Sequence, residues 1–201
     1  MYLQPVAKFI PRAPFFIFAQ SWGLESFQQK FRESLVEKCC HFFDLMRLII
    51  KSDPVRIMAS AGQEVNHLGE TYDGQKSDIW DCGYVIDDFE NGARAVLELC
   101  MFAEGSEYQE EIHAIGSEGK IACLVPGPAR FWPDHMAESP VPKELLTAGD
   151  HNGSTFYQHQ KFQAAVLGAH PPEVSLRDEI WAVRMGHPAQ QSAQKKRIVE
   201  P

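Results

Sequence analysis

The sequence predicts an α+β fold: an open, mainly antiparallel sheet with helices packed on one face. Three observations carry this. Residues 24 to 51 repeat apolar side chains at helical period, and from residue 55 the pattern switches to period two. The period-two segments run to residue 125 through tight turns, which makes neighbouring strands antiparallel. Helical patterning resumes at residue 154, so a sheet with one apolar face has helices to bury it.

Residues 1 to 30 form an irregular lead-in. Pro5, Pro11 and Pro14 interrupt any helix there, and Phe9, Phe15, Phe16, Phe18 and Trp22 recur without a period. Residues 31 to 200 make the main domain. Its first element is one long helix over residues 24 to 51, with Leu35, Val36, Cys39, Cys40, Phe42, Phe43, Leu45, Met46, Ile49 and Ile50 leaving a narrow polar strip. Ser52-Asp53-Pro54 ends it, because proline restricts the residue before it and donates no hydrogen bond. Val55, Ile57, Ala59 and Ala61 then mark one face of a strand.

Residues 63 to 80 read as a polar loop with turn signals at Gly69, Asp73-Gly74 and Ser77-Asp78. Strands follow at 82 to 89, 93 to 102, 108 to 115 and 120 to 125. Asn91-Gly92 and Gly116 to Gly119 supply the turns between them. Ala95, Leu97, Leu99 and Met101 share the inner face. Arg94, Val96, Glu98 and Cys100 mix polar with apolar on the other, which suits either water or a second subunit. Residues 126 to 154 read as an irregular excursion rich in proline and glycine. A helix follows over 154 to 167, and Ser175 caps a last one with Asp178 and Glu179 in its first turn. The tail from Gln190 reads as a solvated end.

Composition narrows the function. A net charge of -8 argues against nucleic-acid binding, which needs a basic face. No apolar run approaches the ~20 residues of a membrane span. Five cysteines lack the spacing of a disulfide framework or a zinc site, and a reducing, cytoplasmic setting is the simplest reading. Cys39-Cys40-His41 reads better as small buried residues than as a metal site. No glycine-rich phosphate loop follows a strand, and there is no G-x-S-x-G.

The chemistry-bearing residues concentrate on the first helix. Glu37, His41 and Asp44 stand four and then three residues apart, so a continuous helix places them on one face. Such a set could do acid/base work, with a carboxylate orienting the imidazole. The other reading is the wet side of an amphipathic helix, and spacing alone favours that. Lys38, at the edge of the strip, is either a substrate contact or a residue snorkelling at the rim of the core. His151 to Tyr157 lies at a loop-to-helix junction. There His151 and Tyr157 could reach a ligand, or the segment could be no more than a capped helix.

Val36-Glu37-Lys38-Cys39-Cys40-His41-Phe42-Phe43-Asp44-Leu45-Met46 resembles a helix motif, loosely D-x-G-x-H-x-x-D, in the C-terminal domain of the glucose–fructose oxidoreductase/inositol dehydrogenase/MocA (Gfo/Idh/MocA) family. The resemblance extends through Gly62 to Leu68, Asn91 to Ala95, Met101 to Gly105 and His151 to Tyr157, and covers about residues 35 to 200. It implies an NAD(P)-dependent oxidoreductase acting on a sugar, polyol or related alcohol. It further implies a C-terminal domain that supplies the substrate pocket and, through its open sheet face, the oligomer interface. On this resemblance Glu37 and His41 take catalytic roles, His41 as proton relay and Glu37 orienting it. Lys38, Asp44, His151 and Tyr157 become candidate substrate contacts.

This sequence departs from the family pattern in four ways. Glu37 stands for the motif's Asp, Cys39 stands where the family usually has Gly, and Arg32-Glu33-Ser34 replaces a frequent Gly pair. The Rossmann domain that would hold NAD or NADP is absent, together with the Glu-Lys-Pro segment whose Lys works beside this His. Met1 to Ala7 resembles a helix near the end of that domain. The expectation is therefore the substrate-binding and oligomerisation half of such an enzyme, inactive alone. The alternative is a non-catalytic module keeping the fold for self-association or sugar binding.

Overall fold

A computed structural model describes residues 16–22, 34–125, 129–132, 137–139, 144 and 154–201. Of the helix expected over residues 24 to 51, residues 24 to 33 lie outside the described residues, and the described part is two pieces, α1 (Ser34–Glu37) and α2 (Cys40–Ile50). Cys39 interrupts them at φ −95° and ψ −5°, and its carbonyl accepts from the N–H groups of both Phe42 and Phe43. The break lets each piece bury its own apolar side. Leu35 and Val36 of α1 pack against Gly186, while Phe42, Phe43, Met46 and Ile50 of α2 enter the core over the sheet.

The strands are β1 (Phe16–Trp22), β2 (Pro54–Gly62), β3 (Thr71–Tyr72), β4 (Gln75–Lys76), β5 (Cys82–Phe89), β6 (Arg94–Cys100), β7 (Glu110–Gly116), β8 (Gly119–Val125), β9 (Ala129–Trp132) and β10 (Ala137–Ser139). Eight of them form one sheet in the order β10-β9-β8-β7-β1-β6-β5-β2, and β3 with β4 makes a separate hairpin. Every described pairing in the large sheet is antiparallel except β1 with β6. The expected open, mainly antiparallel α+β sheet is therefore the observed one.

Three local expectations are corrected. The lead-in, read as irregular, contributes β1, which lies between β6 and β7. Val55, expected on one face with Ile57, Ala59 and Ala61, is exposed while Ile57 and Ala59 are buried, because the β2–β5 register shifts between Pro54 and Arg56 and puts Pro54 inside instead. The excursion after residue 125 carries β9 and β10, which extend the sheet beyond β8.

Two further helices follow, α3 (Ser154–Val166) and α4 (Leu176–Lys195). Ser175 caps α4 as expected: its hydroxyl accepts from the Asp178 N–H while the Asp178 carboxylate accepts from the Ser175 N–H. The helix does not fray into a solvated tail at Gln190. It continues through Pro188 to Lys195, with Ala189, Gln190 and Ser192 buried. The Ser192 hydroxyl accepts from Ala59 N–H at 2.9 Å and donates to the Arg197 carbonyl at 2.6 Å. Val199 and Ile57 then exchange backbone hydrogen bonds of 2.8 and 2.9 Å. The tail thus satisfies edge groups of β2 that would otherwise be open to another strand.

One core unites the inner sheet face with α1, α2 and α4. Ile57, Ala59, Val85, Phe89, Ala95, Leu97 and Leu99 meet Phe43, Met46, Met185 and Ala189. The opposite face stays open: Met58, Tyr84, Ile86 and Ile115 are exposed there.

Candidate functional site

The α1–α2 junction is shaped by what anchors it from below. Cys39 is fully buried and burial pushes its thiol well above the usual range, so it packs as a small apolar residue rather than a ligand. A Cβ on Gly186 would stand 2.8 Å from Val36 Cα and 3.1 Å from the Leu35 carbonyl oxygen. Only a residue without a side chain lets α4 approach α1 so closely. Arg47 fixes the other end. It lies over the Trp181 ring at 5.3 Å, pairs with Asp53 at 2.8 Å and reaches Asp178 at 3.3 Å.

On this frame the candidate residues face outward in a divided strip. Glu37 ends α1 and is exposed; Lys38 is half-buried in the turn; His41 is exposed in the first turn of α2; Asp44 is half-buried. The break at Cys39 removes the regular four-residue relation between Glu37 and His41. Among the described residues no hydrogen bond or ion pair joins these two. The Glu37 carbonyl accepts from Cys40 Sγ at 3.3 Å, and Cys40 Sγ lies 3.6 Å from His41 Nδ1.

His41 and Asp44, three apart on α2, remain neighbours, and the imidazole favours the Asp44 carboxylate. The balance at Asp44 nevertheless goes the other way. Burial first, then the negative Glu179 and Asp178 of α4, raise its pKa above the ordinary carboxylate value, and Arg47 offsets part of this. Sequence spacing pointed to the partners on α2. It could not reveal Asp178, Glu179 or Trp181, which arrive from more than a hundred residues away.

His151 lies outside the described residues. Tyr157 is half-buried on α3, edge-on to Phe156 with ring centroids 5.4 Å apart. Among the described residues no hydrogen bond or ion pair joins Tyr157 to Glu37, Lys38, His41 or Asp44, which stand close together in the chain across the α1–α2 junction. The cluster can donate and accept protons and hydrogen bonds at an exposed surface, as a hydroxyl-rich ligand requires.

The described residues do not form a dinucleotide cradle. Such a cradle needs a glycine-rich turn from a strand into a helix N-terminus. The glycines at positive φ, Gly74, Gly92, Gly105, Gly119 and Gly168, lie instead in hairpins, a loop and the segment after α3. Nor do the described residues contain a group of three or more His, Cys, Asp or Glu side chains that could hold a metal ion.

A second buried group escaped the sequence reading. The Asp81 carboxylate, fully buried before β5, accepts from the N–H groups of Glu64, Val65 and Asn66 at 2.8, 2.7 and 2.6 Å. It organises the start of the loop that follows β2. An aspartate at the entrance to a strand carries no pattern that announces this.

Residues 19–122 match the family model described as the GFO/IDH/MocA C-terminal domain. No curated protein sequence matches the chain. Among solved structures, an oxidoreductase domain protein from Kribbella flavida superposes with a TM-score of 0.77 at 19% identity, covering 97% of this chain and 60% of that one. An oxidoreductase from Agrobacterium radiobacter in complex with NAD+, L-tartaric acid and magnesium gives 0.75 at 18% identity, covering 98% and 61%. Levoglucosan dehydrogenase, in complex with NADH and levoglucosan, gives 0.76 at 16% identity, covering 99% and 61%. The chain spans about 60% of the length of these structures.

Proposed function

The chain belongs to the Gfo/Idh/MocA oxidoreductase family through its C-terminal domain, and on that premise we propose that it is the substrate-binding and self-associating half of an NAD(P)-dependent oxidoreductase acting on a sugar, polyol or related alcohol. The observation that carries this reading is the outward-facing cluster of Glu37, Lys38, His41 and Asp44 at the α1–α2 junction. The complexes of the Agrobacterium enzyme with NAD+ and L-tartaric acid and of levoglucosan dehydrogenase with NADH support the cofactor and substrate class.

In this reading each residue has a limited task. His41 holds or takes the proton of the reacting hydroxyl, and its exposed ring has only Cys40 Sγ as a described neighbour at hydrogen-bonding range. Glu37 orients the imidazole or accepts from a second hydroxyl once ligand draws the two together. Lys38 and Asp44 bind the remaining hydroxyls, and Tyr157 and His151 are the further candidate contacts. NAD or NADP would supply the hydride chemistry, and no step through it is assigned to this chain because the described residues hold no cradle for it.

The chain alone is then inactive. Titration of the purified chain with NADH, followed by calorimetry, is expected to give no saturable binding. Mixing with a nucleotide-binding partner chain should restore activity, and His41→Ala should lower the restored rate by roughly 10²–10⁴-fold. Micromolar NADH binding by the chain alone would remove the claim of inactivity. An unchanged rate in His41→Ala would remove His41 from the chemistry.

One observation favours a second reading, a non-catalytic module. The open sheet face presents Met58, Tyr84, Ile86 and Ile115, which suits self-association whether or not a pocket is used. A stable oligomer with no response to any polyol would select it.

A further inference from the structure

Two of the five cysteines are brought together by the sheet, although 18 positions separate them in the sequence. Cys82 opens β5 and Cys100 closes β6, and the register makes them direct cross-strand partners. Both are half-buried, and both thiols are free. They lie on the open face of the sheet with the next pair along, Tyr84 and Glu98, whose side chains already hydrogen-bond across the strands at 2.9 Å.

The hydrogen-bond pattern defines the pair further. Met101 N–H donates to the Asp81 carbonyl at 2.8 Å, immediately outside the two cysteines. Cys82 and Cys100 therefore occupy a non-hydrogen-bonded position of the antiparallel ladder, where facing Cα atoms stand about 4.5 Å apart. That is within the ~4.4–6.8 Å span of disulfide Cα pairs, so the register is compatible with a bridge between them.

We propose that Cys82 and Cys100 form an intrachain disulfide under oxidation and that this bond locks the loop after β2. Hydrogen peroxide supplies the oxidising equivalents. The Cys100 sulfur attacks the peroxide O–O bond, giving a sulfenic acid and one water. The Cys82 sulfur then attacks the sulfenic sulfur, the S–S bond forms, and the hydroxyl leaves as a second water with the Cys82 proton. Two thiols and one peroxide become one disulfide and two waters. Burial, followed by the nearby Asp81 and Glu64 carboxylates, pushes the Cys82 thiol up to about 11, which assigns it the second step.

The consequence falls on the loop. Asp81 precedes Cys82 and holds the N–H groups of Glu64, Val65 and Asn66. Met101 follows Cys100, and its carbonyl accepts from Asn66 Nδ2 at 2.9 Å. A covalent bond between the cysteines fixes the spacing of both anchors at once. The bond forms within one chain, and none of the observations behind it is drawn from the function proposed above.

The test treats the folded chain with hydrogen peroxide, blocks remaining thiols with N-ethylmaleimide and measures intact and peptide masses. The expected product is two hydrogen masses lighter, has two fewer labelled thiols and yields a Cys82–Cys100 linked peptide. Cys82→Ser and Cys100→Ser should each abolish the link, while Cys40→Ser and Cys123→Ser should keep it. Amides of Glu64, Val65 and Asn66 should exchange with deuterium at least several-fold more slowly in the oxidised chain, and dithiothreitol should reverse the change. Labelling of both cysteines after peroxide, sulfinic acid at either without a link, or a bond between two chains instead would each overturn the proposal. A link that leaves exchange at these three amides unchanged would overturn the locking of the loop.

Discussion

Asp87 is a carboxylate with no hydrogen-bond partner at either oxygen among the described residues, fully buried on the inner face of β5 between Ile57 of β2 and Ala95 of β6. Burial, helped by the adjacent Asp88, raises its pKa from 3.8 to about 8. The folded state therefore holds a proton there that the unfolded chain releases near the ordinary carboxylate value. The stability linked to this proton is fully present below the unfolded value and is lost as pH rises through about 8. Urea unfolding of the wild type should lose stability relative to Asp87→Asn by about 1.4 kcal/mol per pH unit between about pH 5 and about pH 7. Parallel pH profiles of the two proteins would show that Asp87 is solvated or paired. The sequence does not single out Asp87, because the adjacent Asp87 and Asp88 put a carboxylate on each face of the strand and leave the inner one undecided. His41 and Asp44 are legible as neighbours by spacing, whereas the break at Cys39 parts Glu37 from their helix. The environments of these residues are not legible, since a Cys39 break and two carboxylates from α4 decide them.

Among the elements, the contact of α1 with α4 sets where Glu37 stands. Gly186→Ala separates two opposing effects. Alanine favours a helix interior over glycine by about 1 kcal/mol, whereas a Cβ placed 2.8 Å from Val36 Cα forces the helices apart. Overpacking of this kind costs about 1–3 kcal/mol, so denaturant melts should show a net loss of stability. A more stable Gly186→Ala protein would mean that the close approach is not required. Periodicity located α2, β5, β6, β7 and β8 because each repeats with its own surroundings, and Asn91-Gly92 and Asp73-Gly74 located turns through their tolerance of positive φ. It missed β1, whose neighbours in the sheet are residues 94 to 100 and 110 to 115, far along the chain. It also read the end of α4 as solvent-facing. Pro188 and a polar sequence suggest an ending there, but Ser192 spends its hydroxyl on the backbone of β2 and the helix continues.

For the whole molecule, one sheet face is closed by α2 and α4 and the other is open, with Met58, Tyr84, Ile86 and Ile115 exposed on it. The proposed self-association uses that face. Size-exclusion chromatography with light scattering is expected to give a dimer or larger species for the wild type and a monomer for Ile86→Lys, with unchanged circular dichroism. A monomeric wild type at the highest concentration the chain tolerates would contradict this. The sequence could announce a mixed outer face, but a face that suits water and a face that suits a partner share that pattern. The substrate side of the account is tested most directly by thermal unfolding against a panel of sugars, polyols and hydroxy acids. A ligand that binds only the folded chain stabilises it by about 2.7 kcal/mol at one hundred times its Kd. The account predicts a concentration-dependent rise in Tm with at least one member of the panel, lost in His41→Ala. A panel that leaves the wild-type Tm unmoved, or a rise that His41→Ala retains in full, would contradict it.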